Sequence, residues 1–196
     1  MKIRKAYPED AKAIATYLLL AMEDIVYQFI GEKSIEKATR LLTHLAGCRA
    51  NQYSYENCWV IELDNEVVAV AVVYDGAFLQ SLRAPVARAI QSMFNRDFNP
   101  ENETEAGEYY IDCIGVSSQF QGKGLGSKLL CFLIDEYVNQ RNGTLGLLVD
   151  QANPNARKLY IKLGFKVVGE KTLAGKRMEH LQYHETTNNS YTEKRC

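Results

Sequence analysis

Three glycines at alternate positions, Gly122, Gly124 and Gly126, sit in the stretch CIGVSSQFQGKGLGSKLL, between a β-rich run and an apolar, helix-like run. A strand-to-helix turn of this kind constrains the fold more than any other feature of the chain. The first N–H groups of a helix have no internal partner, and glycine lets a ligand come within reach of them. An anion placed there gains those donors and the positive end of the helix dipole. The turn therefore reads as a phosphate cradle, and two familiar cradles are excluded. A Walker A loop needs Gly-x4-Gly-Lys-Ser/Thr, whereas Gly122-Lys123 is followed by Gly124, and the residue five before Gly122 is Ser117. A dinucleotide-binding turn needs G-x-G-x-x-G opening a βαβ unit, whereas the spacing here is G-x-G-x-G and it falls late in the chain.

The rest of the chain supplies the elements around this turn. MKIRKAY alternates like a short strand, and Pro8 and Asp10 introduce a helix on which Ile14, Leu18, Met22 and Ile25 share a face. Ser34 can cap a second helix. CWVIELDNEVVAVAVVYDG reads as two strands joined at Asp64-Asn65, the second apolar enough to be covered on both faces. Residues 77–108 form an insertion before the next strand. They offer a short helix after Pro85, then the acidic DFNPENETEAGE, which has almost no apolar anchor and is expected to stay mobile. YYIDCIGV is a strand, SKLLCFLIDEYVNQ a helix and TLGLLVD a strand. NPNARKLYIKLG is the clearest helix, with Asn153 as N-cap, Pro154 at its first position and Gly164 as its stop. Two closing strands follow. Residues 1–184 are expected to form one domain, and residues 185–196 a polar, disordered tail.

The segment from Gln121 to Gly126, QGKGLG, resembles the pyrophosphate arm of the GNAT family of N-acetyltransferases, in which Gln/Arg-x-x-Gly-x-Gly/Ala leads from a central strand into a helix. A second block, LLVDQANPNARKLYIKLGF, is similar to the family's strand–Asn–helix–Tyr block, with Asn153, Ala156, Tyr160, Gly164 and Phe165 in order. The resemblance implies an α+β fold: a mixed, mostly antiparallel twisted sheet flanked by helices, with two splayed parallel central strands. It implies acetyl-CoA as acyl donor. The pyrophosphate would meet Gln121, Gly122, Lys123, Gly124, Leu125, Gly126 and Ser127, and the pantetheine arm would meet the backbone at Ile114, Gly115 and Val116, with Asn153 beside it. Tyr160 corresponds to the family's general acid, which protonates the departing thiolate. Many relatives carry a glutamate base on the central strand, but one common position of it is Tyr110 here. Asp112, two residues on and by strand alternation on the face of Tyr110 and Ile114, is the candidate base, with Asp150 or a water relay as alternatives. The implied reaction is direct attack of a primary amine on the thioester in a ternary complex. A non-catalytic CoA-binding sensor and a protein N-terminal or lysine acetyltransferase are the other readings.

Composition narrows the partners. A net charge of −1 argues against a broad nucleic-acid-binding face. No apolar run of about eighteen residues and no signal-like N-terminus is apparent, so no membrane association and a cytoplasmic location are expected. Five cysteines without a CxxC pair read as free thiols. His180 and His184 lie on a strand-like segment without an accompanying acid pattern, so no metal is expected. Residues 1–120 hold 11 Lys/Arg against 17 Asp/Glu, and residues 121–196 hold 12 against 7. The basic half begins at the phosphate cradle and suggests an anionic ligand there, and the acidic half suggests a cationic one, so the amine acceptor that the resemblance implies, a small molecule or a peptide, is expected to be cationic. Both a monomer and a homodimer are open.

Overall fold

The computed structural model describes residues 1–185 as a seven-stranded sheet with helices on both faces. Of the tail expected at 185–196, all but Glu185 lies outside the described residues. The elements run β1 (Lys2–Lys5), α1 (Ala11–Ile30), α2 (Ile35–Gly47), β2 (Cys58–Leu63), β3 (Glu66–Asp75), α3 (Leu79–Phe94), β4 (Tyr109–Val116), α4 (Leu125–Ile134), β5 (Leu145–Asp150), α5 (Pro154–Leu163), β6 (Lys166–Leu173) and β7 (Lys176–Tyr183). The sheet order is β1-β2-β3-β4-β5-β7-β6, and each neighbouring pair is antiparallel except β4–β5. The mixed, mostly antiparallel sheet that the resemblance implies is the one that forms.

Local chemistry sets the boundaries. Ser34 Oγ accepts from the Lys37 N–H at 3.3 Å to start α2, and Asn153 Oδ1 accepts from the Ala156 N–H at 3.1 Å to start α5. Gly164, with φ +105°, ends α5 in the left-handed region. The β2–β3 turn places Asp64 and Asn65 at φ +50° and +66°, the conformation a two-residue hairpin needs. Residues 68–74 of β3 are buried without interruption because both faces are covered. On one face α1, α2 and α3 pack over Val70, Val72 and Tyr110, and on the other α4 and α5 pack over Ala71, Val73 and Ile111.

Two helices depart from expectation. α3 begins at Leu79 and carries Pro85 in its interior rather than starting after it. The stretch Pro8–Ile30 is long and apolar enough, by length and composition alone, to cross a membrane, a run that its interspersed polar residues conceal. In the fold its stripe of Ile14, Leu18, Val26 and Ile30 is buried in the core, and the helix breaks at Met22, where φ is −139° and ψ 32°.

α1 lies so close to β4 that only glycine fits at Gly115, where a Cβ would stand 2.2 Å from the Tyr17 carbonyl oxygen. Gly115→Ala is expected to destabilise the fold by about 1–3 kcal/mol through overpacking, read as a lower urea midpoint. An unchanged midpoint would mean that α1 can move away from β4 without loss.

Residues 77–108 connect β3 to β4, and their acidic part is anchored rather than mobile. The ring of Phe98 packs edge-on to Phe29 of α1, with centroids 4.6 Å apart. Arg83 of α3 donates to the carbonyls of Pro100 (3.0 Å) and Glu101 (3.1 Å) and to Asn102 Oδ1 (3.2 Å). Glu103 and Thr104 are 5% and 1% exposed. Phe98 apart, polar bonds supply the anchors, which is why composition alone misjudged this segment.

Candidate active site

The parallel ladder between β4 and β5 lasts for three residue pairs, Tyr109–Leu145, Tyr110–Gly146 and Ile111–Leu147. Past them, among the described residues, β4 pairs only with β3 and β5 only with β7, so the two strands part. A cleft of about 620 Å³ opens where they separate. Its walls are Asp112, Cys113 and Ile114 of β4, the end of β5, residues 20–25 around the α1 break, Asn153 and Tyr160 of the α5 segment, and Lys176.

Asp112 stands at an irregularity in β4. Val72 is opposite Cys113 and Val73 is opposite Ile111, so Asp112 is one residue too many on its strand. Simple alternation placed it on one face with Tyr110 and Ile114. The bulge breaks that alternation: Tyr110 and Cys113 belong to the α1–α3 side, whereas Ile114 packs on the α4–α5 side. A bulge bends its strand and re-aims a side chain. Here the Asp112 carboxylate turns into a polar pocket, where Oδ2 accepts from Gln52 Nε2 at 2.7 Å and from the Tyr74 hydroxyl at 2.8 Å.

Glu103 Oε1 accepts from the same two donors, at 2.5 and 3.0 Å, and lies 3.3 Å from the Arg83 guanidinium. Burial pushes the Asp112 carboxyl above the ordinary range, against the donors that favour its charged form. Burial, reinforced by the charge of Asp112, pushes Glu103 up to about 7 despite Arg83. The other carboxylate weighed as a base, Asp150, is already engaged. Its Oδ1 accepts from the Ala152 N–H at 2.8 Å, and Lys176 Nζ is 3.6 Å from Oδ2.

Tyr160 is half-buried on the cleft-facing side of α5, and its ring is 5.9 Å from that of Phe165. Burial, with a smaller contribution from Cys113, pushes its phenol up to about 12, so the hydroxyl stays protonated. Asn153 uses its side-chain oxygen to cap α5.

The glycine turn lies beyond the end of β4. Gly122 and Gly124 adopt φ +76° and +79°, and a Cβ on either would meet nothing within 4 Å, so the approach to their backbone is open. Gly124 starts α4 without a side-chain cap. The first α4 amide bonded to the turn is that of Lys128, to the Gly124 carbonyl at 3.0 Å. The N–H groups of Leu125, Gly126 and Ser127 precede it and have no carbonyl to take within the helix. The Leu125 side chain is buried, Ser127 is half-buried, and Lys123 and Lys128 are exposed. Gln121 donates to the Val116 carbonyl at 3.3 Å, fastening the turn to β4. Gly126 comes within ordinary contact distance of Val116, with a built Cβ 3.9 Å from its side chain.

The cleft thus brings together Asp112, Ile114, Asn153 and Tyr160, with the glycine turn continuing from the same strand. Gly115 differs in that its lack of a side chain serves the approach of α1. Sequence reasoning missed Gln52, Tyr74, Arg83 and Glu103. Glu103 was visible only as one acid among five in the insertion, and nothing local distinguishes it from Glu101 or Glu105. His180 is bonded to Glu108, with Nε2 2.8 Å from Oε2, and His184 is exposed.

Comparison with known proteins places these features in context. The model of the acetyltransferase (GNAT) family matches residues 22–165. A crystal structure of an acetyltransferase is 34% identical, covers 94% of this chain and 99% of its own, and superposes with a TM-score of 0.78. An N-acetyltransferase from Staphylococcus aureus Mu50 shares the fold at a TM-score of 0.80, with 23% identity over 93% of this chain and 100% of its own. The 5-NmdU N-acetyltransferase of Pseudomonas phage PaMx11 is 37% identical over 68 residues, which are 35% of this chain and 46% of the phage protein. The chain therefore spans less than half the length of that curated relative.

Proposed function

This chain belongs to the acetyltransferase (GNAT) family, and we propose that it transfers an acetyl group from acetyl-CoA to a primary amine by direct attack within a ternary complex. The observation that carries this reading is the bulge that sets Asp112 at the mouth of the β4–β5 split, across a cleft also lined by Tyr160. The residues fit the donor. The uncapped, sterically open start of α4 suits a pyrophosphate, with Lys123 and Lys128 adding positive charge. The single-sided pairing of residues 112–116 leaves a strand edge to which an extended pantetheine arm can add.

When bound, acetyl-CoA supplies an activated thioester. The protein's own groups manage the protons. An amine with an ordinary pKa of ~10.4 must lose a proton before attack, at a cost of roughly 4–5 kcal/mol near pH 7. Asp112 accepts that proton, and its burial makes it a stronger base than an exposed carboxylate. The Tyr160 hydroxyl gives its proton to the departing thiolate. Glu23, Asp24, Asp112 and Asp150 line the cleft against Lys176, which favours a cationic acceptor by long-range attraction. This preference comes from α1 and the central strands. The insertion contributes no lining residue, so its acids do not carry this preference.

The test is release of CoA thiol with a panel of amines, polyamines, aminoglycosides, peptides and 5-NmdU, the acceptor named for the phage relative. Asp112→Asn is expected to slow turnover by ~10²–10⁴-fold, most severely at low pH where free amine is scarcest. If no amine releases thiol while acetyl-CoA still binds, the protein is a CoA-binding sensor. A pH–rate profile parallel to that of wild type would move the base from Asp112 to Asp150 or water.

A further inference from the structure

Asp112 is half of a buried pair. The Tyr74 hydroxyl has one hydrogen, yet it lies 2.8 Å from Asp112 Oδ2 and 3.0 Å from Glu103 Oε1. Gln52 Nε2 has two hydrogens and lies 2.7 Å from Asp112, 2.5 Å from Glu103 and 3.1 Å from the Tyr74 oxygen. Three hydrogens thus serve five close contacts. If both carboxylates were ionised, one of them would face the Tyr74 oxygen lone pair to lone pair. A proton on one carboxylate supplies the missing donor. Turning the Gln52 amide over gives no relief, because its oxygen, buried and without a partner among the described residues, would only add an acceptor.

The surroundings decide which carboxylate holds the proton. Glu103 is 5% exposed and enclosed by the insertion, whereas Asp112 is half-buried and borders the cleft, where solvent favours charge. The facing groups are Arg83 from α3, Tyr74 from β3, Cys58 from β2, Tyr53 from the loop before it, and Tyr110 and Cys113 from β4. Burial pushes the three tyrosines and two cysteines up, so they stay neutral, and Arg83 is the one cation among these groups. Across the cleft stand Glu23, Asp24, Asp150 and Lys176.

We propose that Glu103 is a positioning residue for the transfer reaction: it shares one proton with Asp112 through Tyr74 and Gln52, and by holding that proton keeps Asp112 ionised toward the cleft. The proposal rests on the reading of Asp112 as the proton acceptor. In the step itself the ammonium N–H bond breaks, an O–H bond forms on Asp112, and the doubly protonated pair returns a proton to solvent through the cleft.

Two measurements on the intact protein test this. Glu103 sits above its ordinary value of 4.5, at about 7. The folded state therefore binds this proton more tightly than the unfolded state does. The stability it contributes is full below the ordinary value and is lost as pH rises through about 7. Thermal midpoints of wild type should fall across that window, and those of Glu103→Gln, a neutral mimic of the protonated acid, should not. The pH profile of kcat/KM should show an inflection near neutrality in wild type that disappears in Glu103→Gln. Glu103→Asp should restore the inflection. A wild-type midpoint that does not change across the window overturns the shared proton, whatever the variants do. So does an inflection that persists in Glu103→Gln. If the stability behaviour is as expected but Asp112→Asn turns over like wild type, the shared proton is supported and only the base is overturned.

Discussion

Gly124→Val is expected to abolish the rise in melting temperature that acetyl-CoA should give the wild-type protein. At a ligand concentration of 100 times Kd, that rise corresponds to about 2.7 kcal/mol. Gly124 adopts φ +79° at the start of α4, a region a β-branched residue avoids, and its missing side chain leaves the approach to the first helical amides open. Valine both strains the turn and covers those donors. Loss of a single hydrogen bond to a charged group costs about 1.5–3 kcal/mol, so affinity should drop by at least ~10–100-fold. Gly124→Asn separates ligand loss from misfolding, because asparagine tolerates the left-handed region. It should melt like wild type without ligand and still lose the shift. An undiminished shift in Gly124→Val would move the pyrophosphate elsewhere.

Tyr160→Phe should lower kcat by roughly 10²-fold or more while leaving acetyl-CoA affinity nearly unchanged. The ring contact with Phe165 survives the substitution, so folding should be unaffected. Because the phenol is pushed up to about 12, it stays protonated across the working range and should produce no descending limb in the wild-type profile near neutrality. Single-turnover thiol release compared with equilibrium binding separates the two quantities. Equal turnover in the two proteins would return Tyr160 to a packing role on α5.

What the chain reveals without coordinates is what depends on neighbours in sequence. The cap at Asn153, the stop at Gly164, the Asp64-Asn65 turn and the glycine turn into α4 each act within a few residues, and each forms where expected. The splay of β4 and β5 was implied by family resemblance and appears as a ladder of three pairs. The misreadings share one cause, contacts between distant segments. The bulge at Asp112 is a register shift between β4 and the distant β3, and no alternation pattern inside YYIDCIGV reveals it. The acidic insertion reads as solvated because its anchors, Phe98 apart, are polar: Arg83 lies about twenty residues upstream, and Gln52 and Tyr74 lie further still. Charges in sequence look alike whether they end in water or in a buried pair.

The short β4–β5 ladder has a consequence for how the molecule comes apart. Residues 1–116 and residues 145–183 each form a contiguous set of strands, and three ladder pairs join them. At that seam Glu108 acts as a rivet. Its Oε2 binds His180 and Gln182 of β7, each at 2.8 Å, while its Oε1 accepts from Thr104 at 2.6 Å. Gly146 leaves room for it, since a Cβ there would stand 1.8 Å from Oε2. Burial alone would raise this carboxyl, but the bonds from His180, Thr104 and Gln182 outweigh it and hold it below the ordinary range. Its contribution is therefore present above the ordinary carboxylate value and is lost as pH falls through the depressed one. Acid is therefore expected to remove this polar fastening, leaving the seam to its three ladder pairs and to the apolar cluster under α4 and α5 that spans both sets of strands.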